Sequence, residues 1–389
     1  MKDKIKQLSS LYFKEIVSIR RYIHQYPELS FNEHKTSAYI KSVLLKWNIP
    51  FIDNIADTGI VVILKGKNSA LKTIALRADF DALPIQEENN ISYCSKNRGV
   101  MHACGHDAHT ACLLGAIKIL NKLKLEWEGT IKFIFQPAEE MLPGGAQQMI
   151  KEGVLFNPEV DKIIAQHVFP ELEKGKVGFC SGKYMASTDE LHINIKGKGG
   201  HAALPEEYNS PILAASKLIL DLDLFFKKNK QNRSVMAIGF IEGIGSTNII
   251  PKEVILKGTL RTIDESFRQN SHYKMLEISN KISIKYNLDI DFDIQKGYPC
   301  LINDKFLTES SINIAKDYLG SNNVVELPIR MTAEDFSYYS QIIPSCFYRL
   351  GTANQEEEIV NRLHTSKFNI DEESLEIGMG LMAYLAIMN

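Results

Sequence analysis

Met101-His102-Ala103-Cys104-Gly105-His106-Asp107-Ala108-His109 puts three imidazoles, a thiol and a carboxylate into nine residues, and the reading of this stretch decides the fold. A glycine-softened turn carrying nitrogen and sulfur donors, placed before an apolar helix over 108–123, reads as a loop that binds a borderline-soft cation such as zinc. The alternative is a helix cap with surface histidines. A nucleophilic Cys104–His106 pair fits less well. One intervening residue places the two side chains poorly for proton transfer, and base partners normally come from distant segments. The stretch therefore needs partners from elsewhere in the chain.

Working outward, the apolar run TIALRA (73–78) reads as a buried strand that ends in Asp79, Asp81 and Pro84. IKFIF (131–135) is a second, ending in Gln136-Pro137-Ala138-Glu139-Glu140, and KIIAQ (162–166) a third, ending in His167. Helices separate these strands, and each strand delivers Asp, Glu or His at its carboxyl end, where open α/β sheets place their sites. Upstream, Ile5, Leu8, Leu11, Tyr12, Ile16 and Ile19 recur near helical spacing over 3–25 until Pro27 stops the helix. A second helix over 33–47 precedes Pro50 and a strand over 59–64.

The texture changes near Thr188. Short alternating strands over 190–196, 235–241, 254–261 and 288–294, with helices over 210–226 and 266–286, read as a compact α+β insert with an antiparallel sheet. Beyond Tyr298 the α/β texture resumes and closes with a helix over 371–388, opened by Asp371, Glu372 and Glu373 in favourable N-terminal positions. The expected organisation is a catalytic domain in two parts, 1–187 and 298–389, interrupted by an inserted domain over 188–297.

Composition bounds the partners. Of 389 residues, 44% are hydrophobic and 24% charged, as in ordinary globular proteins; Lys and Arg number 45 against 47 Asp and Glu, a net charge of −2. No excess positive field holds nucleic acid or an anionic membrane, so a small-molecule substrate fits better. The first 30 residues are amphipathic and charged, without the apolar core of a signal peptide, and no run approaches the ~20 apolar residues of a spanning helix. Six cysteines (94, 104, 112, 180, 300, 346) are scattered without disulfide-scaffold density, which agrees with the reducing cytoplasm. Cys112, among Ala111, Leu113 and Leu114, reads as a packed thiol.

A two-metal hydrolytic site needs about three protein ligands per ion, an open position for water and a carboxylate base nearby. Cys104, His106, Glu140, His167 and the late His364 supply five ligands, and a sixth bond follows if one of them bridges. Cys104 is the candidate, because a thiolate can contact both ions across the ~3.5–4 Å of such pairs. Adjacent Glu139 and Glu140 then divide the work. Neighbouring carboxylates on a loop point different ways, so Glu140 binds metal while Glu139 takes a proton from the metal-acidified water and passes it to the leaving nitrogen. A solvated turn is the plain alternative for such a pair, weakened here by Pro137 and the apolar strand before it.

RRYIHQYPELSFNEHKT (20–36), RADFDALP (77–84), MHACGHDAHTA (101–111), FQPAEE (135–140), AQHVFP (165–170), KGGHAALPEE (198–207), MTAEDFS (331–337) and LHTSKF (363–368) resemble, in order and across nearly the whole chain, the N-acyl-amino-acid amidohydrolase branch of the two-metal aminoacylase and carboxypeptidase family. That branch includes hippurate hydrolases, indole-acetyl-amino-acid hydrolases and N-acetyldiaminopimelate deacetylases. The resemblance implies an α/β, aminopeptidase-like catalytic domain with a mixed sheet flanked by helices, plus an inserted α+β lid or dimerisation domain.

Residue by residue, the resemblance makes Cys104, His106, Glu140, His167 and His364 metal ligands, Glu139 the general base, and Asp79 the carboxylate that orients a ligand. The ions it implies are zinc or manganese, with cobalt an alternative. Other branches carry a metal-binding histidine where this chain has Arg77, which increases the need for the Cys104 bridge. Asp107 either caps the helix or orients His106. In the insert, His201 follows two glycines that permit close backbone approach, and suits polarisation of an amide carbonyl or its oxyanion. The resemblance carries His201 into the active site of a partner subunit, in a homodimer formed through the insert. Asn248 and Arg261 are candidates to hold a substrate α-carboxylate, against plainer roles as turn former and surface ion pair. Glu334 and Asp335 look substrate-proximal by resemblance alone, and His24, His34, His102 and His109 read as structural. The activity implied is hydrolysis of acetyl-, benzoyl- or indole-acetyl-amino acids. The alternatives are a dipeptidase or aminopeptidase, a diaminopimelate deacetylase, and a non-catalytic metal-stabilised binding protein.

Overall fold

The computed structural model describes residues 1–356 and 358–389. The chain divides into two compact units, one built from residues 1–182, 302–328 and 335–389, the other from 183–301 and 329–334. The seams therefore lie a few residues outside the 188–297 insert expected from the sequence, and a second segment joins the inserted unit. That segment is held by strand-like bonds: Arg330 N donates to Tyr184 O (2.9 Å) and Ala186 N to Thr332 O (3.0 Å).

The first unit is organised on an eight-stranded mixed sheet. Its order is Phe51–Ile55, Gly59–Lys65, Thr130–Gln136, Thr73–Asp79, Lys162–Glu173, Ser345–Ala353, Val177–Phe179 and Val324–Glu326. The four central strands run parallel. Thr73–Asp79 and Thr130–Gln136 are buried at every position, so they read in sequence as continuous apolar runs without alternation. The helices Lys2–Gln25, His106–Lys122 and Ser374–Met388 pack together and share one core with the sheet, including Ile16, Ile23, Leu113, Ile117, Met379 and Leu385.

Three local expectations change. The strand expected to end before His167 runs on from Lys162 to Glu173. Its pairing with the Thr73–Asp79 strand stops at Arg77↔Ala165, so His167 is level with Asp79, where the neighbour gives out. The metal-loop helix starts at His106 rather than 108, because Gly105 turns the chain at φ +83° immediately before it. The last helix starts at Ser374, and the three acids lie in the preceding turn: Asp371 Oδ1 accepts from Glu373 N (2.9 Å) and Asp371 O accepts from Ser374 Oγ (2.6 Å).

The second unit is a four-stranded antiparallel sheet ordered Ser234–Glu242, Glu253–Thr262, Ser187–Lys196, Asp289–Lys296. The helices Pro211–Lys228 and Glu265–Tyr286 bury Leu218, Leu222, Met275 and Ile282 against alternate strand residues such as Leu191, Ile193 and Ile195. This period-two burial is what the alternating sequence predicts. Ser210 and Asp264 cap the two helices, each accepting from the backbone N–H three residues on. Among the described residues, no helix is long and apolar enough to cross a membrane.

Candidate metal centre

The centre lies wholly in the first unit. Gly105 is the hinge: its positive φ and a Cβ that would fall 2.4 Å from Val168 Cγ2 leave room for glycine alone. The turn it makes puts Cys104 and His106 beside the strand that carries His167. His106 Nδ1 lies 3.0 Å from Asp81 O and 3.1 Å from Asp81 Oδ1. Both are acceptors, so Nδ1 holds the proton and the Nε2 lone pair faces inward. His167 Nδ1 donates to Val168 O (2.7 Å), which likewise frees Nε2, 3.5 Å from Cys104 Sγ. His364, in a left-handed conformation at φ +60°, is pinned by its N–H to Ala103 O (2.8 Å). Its Nε2 reaches Cys104 Sγ at 3.3 Å and Glu140 Oε1 at 3.2 Å.

Of the five groups of possible ligands among the described residues, two share one sulfur. Cys104, His106 and His167 form a fully buried set; Cys104, Glu140 and His364 form a second that opens outward, with the His364 side chain 51% exposed. Within each set the ligand atoms lie within 4.8 Å of one another. Among the described residues His106 Nε2 has no hydrogen-bond partner; it is buried 3.8 Å from Asp79 Oδ2, 4.0 Å from Glu139 Oε2 and 3.9 Å from Glu140 Oε1.

The electrostatics are those of a site built for cations. Burial, Glu140, Glu139 and Asp79 together raise the Cys104 thiol well above its ordinary value. Burial alone would lower His106, but Asp79, Asp81 and Glu140 raise it to about 10. Burial and Arg349 keep His167 well below the ordinary imidazole range, hence neutral. So many carboxylates around an inward-facing lone pair and a thiol favour positive charge, and a divalent ion held by Cys104, His106 and His167 would supply it. The donor set of one sulfur, three imidazoles and a carboxylate suits zinc and its neighbours.

Asp79 Oδ2 accepts from Arg77 Nη1 (2.6 Å) and its Oδ1 from His109 Nδ1 (2.5 Å), while His109 Nε2 accepts from Val168 N (2.9 Å), beside His167. The carboxylate that His106 Nδ1 faces is Asp81, at 3.1 Å. The signal was Arg77, which lies on the same strand face as Asp79 and pairs with it, leaving Asp81 for His106. Asp107 neither caps the helix nor touches His106. It is buried against Arg20 Nε (2.7 Å) and His24 Nδ1 (2.8 Å), and His24 Nε2 continues to Glu87 (3.2 Å).

Glu139 is 6% exposed and its Oε1 accepts from Asp335 N at 3.4 Å. Asp335 itself is buried, accepting from Arg77 Nη2 (2.7 Å), Gln136 Nε2 (2.8 Å) and Ala146 N (2.9 Å). Glu334 belongs to the second unit. There the strands Gly200–His201 and Ile249–Ile250 form a two-stranded ribbon, closed by Ala202 N to Asn248 O (3.0 Å). Exposed His201 and Asn248 are thus neighbours, and a Cβ at Gly199 would lie 2.7 Å from Ile250 O. Arg261 is half-buried on the Glu253–Thr262 strand, opposite Thr188 and Val235, away from that ribbon in register.

Fold and donor set together define an α/β protein with a candidate two-ion site. The chain belongs to Peptidase family M20/M25/M40, whose model matches residues 75–388. It is 36% identical to the N-acetyl-L-cysteine deacetylase of Bacillus subtilis, over 93% of this chain and 85% of that one. It is 38% identical to the IAA-amino acid hydrolase ILR1-like 4 of Arabidopsis thaliana, over 96% and 86%. A solved Bacillus subtilis structure, described as a dinuclear metal binding peptidase from the M20 family, matches at 33% identity and a TM-score of 0.82, covering 97% of this chain and 98% of that one.

Proposed function

We propose that the protein hydrolyses the amide bond of N-acyl-amino acids, releasing a carboxylate and a free amino acid. The observation that carries this reading is a carboxylate, Glu139, held beside two ligand groups that share the Cys104 sulfur. The relatives named for deacetylation and for hydrolysis of amino-acid conjugates support the substrate class.

Cys104, His106 and His167 would hold one divalent ion and Cys104, Glu140 and His364 the other. Bound there, the pair would supply Lewis acidity toward the amide carbonyl and a nucleophilic water at neutral pH. Glu139 takes the proton from that water and delivers it to the amide nitrogen as the C–N bond breaks, so the amine leaves neutral. Asp81 keeps the His106 tautomer correct for ligation. His201 polarises the carbonyl, and Asn248 and Arg261 hold the α-carboxylate. The buried set, with two imidazoles beside the shared sulfur, suits zinc, the carboxylate-bearing outer set tolerates manganese or cobalt, and a cytoplasmic location keeps the thiol reduced.

We further propose a homodimer through the second unit. Ser234–Glu242 is an edge strand with Phe240 and Ile241 exposed, and the Pro211–Lys228 helix exposes Leu213, Leu220 and Leu224. An open edge with apolar neighbours is a surface that globular proteins normally cover.

The test is turnover by the metal-reconstituted protein on N-acetyl-, N-benzoyl- and indole-acetyl-amino acids, beside dipeptides with free amines. Hydrolysis of at least one N-acyl class is expected. Inert N-acyl substrates alongside cleaved dipeptides would overturn the acyl assignment in favour of a dipeptidase.

A further inference from the structure

The segment that carries the adjacent carboxylates is Gln136-Pro137-Ala138-Glu139-Glu140, and its conformation is unfavourable on its own. Ala138 has φ +52°, a left-handed conformation that a residue with a Cβ adopts only when its surroundings impose it. Pro137 has no N–H to contribute, so the first backbone donor after Gln136 is Ala138 itself. Three bonds fix the turn. Ala138 O accepts from Gly145 N (2.9 Å), Glu140 N donates to Asp81 Oδ2 (3.0 Å), and Ala138 N donates to Glu33 Oε1 (2.9 Å).

Glu33 is fully buried just before the His34–Lys46 helix, more than a hundred residues away in sequence from the turn it holds. Its own geometry is fixed twice: Oε1 also accepts from Phe31 N (2.9 Å), and Oε2 accepts from Thr58 Oγ1 (3.1 Å). Every partner is a donor, so the carboxylate has one orientation and passes it on to Ala138. Losing this bond leaves a buried amide unsatisfied and frees the strained residue to relax. Relaxation at Ala138 swings the two residues that follow it.

We propose that Glu33 is a positioning residue for the hydrolytic centre, clamping Ala138 so that Glu139 and Glu140 diverge, one toward water and one toward metal. This rests on the hydrolase reading for its kinetic consequence, but its spectroscopic consequence needs only metal binding by Cys104, Glu140 and His364. Glutamine at 33 keeps an oxygen acceptor for Ala138 and Phe31, and its amide can donate to Thr58 Oγ1; alanine keeps none of these bonds.

The experiment compares wild type, Glu33→Gln and Glu33→Ala, each reconstituted with cobalt(II), by visible absorption and by turnover on an N-acyl-amino acid. For Glu33→Ala the expected results are a kcat about 10- to 100-fold lower with KM within about threefold, and a cobalt d–d spectrum altered because Glu140 has moved. Glu33→Gln should resemble wild type in both. Identical cobalt spectra and equal kcat in wild type and Glu33→Ala would overturn the proposal, as would a Glu33→Ala protein whose only defect is a lower Tm. Should Glu33→Ala fail to fold, Thr58→Val tests the same clamp through the bond that orients Glu33: a fall in kcat of about threefold at unchanged KM supports it, and wild-type kinetics overturn it. If wild type cleaves no N-acyl substrate, the hydrolase reading fails separately, and the cobalt spectra still decide the role of Glu33.

Discussion

Each unit buries a cluster of carboxylate and histidine, and the two clusters differ in charge balance. In the second unit Asp189 accepts from Arg268 Nη2 (2.5 Å) and Nε (3.0 Å) and lies 2.6 Å from His272 Nε2; the guanidinium on hand matches the acid. In the first unit Asp79, Asp81, Glu139 and Glu140 crowd around His106, whose Nε2 has no hydrogen-bond partner among the described residues, while Arg77 pairs with Asp79 and Arg349 acts on His167. A compensated network holds a fold together. An uncompensated one marks where an ion and a reaction belong.

The largest expected effect falls on the uncompensated cluster. Glu139→Gln should lower kcat by about 10²- to 10⁴-fold while bound metal, counted by elemental analysis, stays at the wild-type level. Retained turnover would show that the base lies elsewhere. Asp81→Asn comes next: with the acceptor for His106 Nδ1 weakened, metal affinity measured by chelator competition should fall about 10- to 100-fold. Unchanged affinity would leave the orienting role to Asp79. Chelation should also lower the Tm of wild type, since removing ions that bind only the folded chain withdraws their linkage stabilisation.

The compensated clusters should respond in stability and leave chemistry untouched. Asp189→Asn strands Arg268 and His272 and should cost about 3 kcal/mol by denaturant titration, with kcat per folded molecule unaltered. A change in kcat would mean that the two clusters are not as separate in role as their charge balance indicates. The smallest effect concerns acid. His24, Ser95 N–H and Asn89 hold the Glu87 carboxyl, despite its burial, down to about 2 from an ordinary 4.5. A depressed carboxyl contributes stability that is fully present above pH 4.5 and is lost as pH falls toward 2. Glu87→Gln should therefore lower stability at pH 7 and flatten the acid limb in that window, with the difference from wild type closing toward pH 2; an identical stability curve would refute the assignment.

Much of the fold was legible in the sequence because two burial regimes leave different patterns. Fully buried central strands read as unbroken apolar runs at 73–78 and 131–135, and the half-buried sheet of the second unit reads as alternation at 190–196. Boundaries were harder where tertiary contacts set them. His167 looked like a strand terminus because the apolar run ends there, yet pairing with Ser345–Ala353 carries the strand on past it. Segment 329–334 joined the second unit through backbone bonds, which leave no mark on side-chain composition. Glu33 was passed over because a lone acid before a helix reads as an ordinary start signal, and its partner Ala138 offers nothing but a main-chain N–H.

The sequence alone determined the chemical inventory: a sulfur, imidazoles and paired acids at the ends of apolar segments, in a chain with almost no net charge. Donor types and hydropathy are local properties of residues, so they can be read without coordinates. Only the tertiary structure decided which acid serves which partner. Arg77 captures Asp79, Asp81 turns His106, Asp107 faces away to Arg20, and Cys104 stands between two ligand sets. Hydrogen bonds and charge pairing act over about 3 Å, and residues far apart in the chain come that close only once the fold has formed.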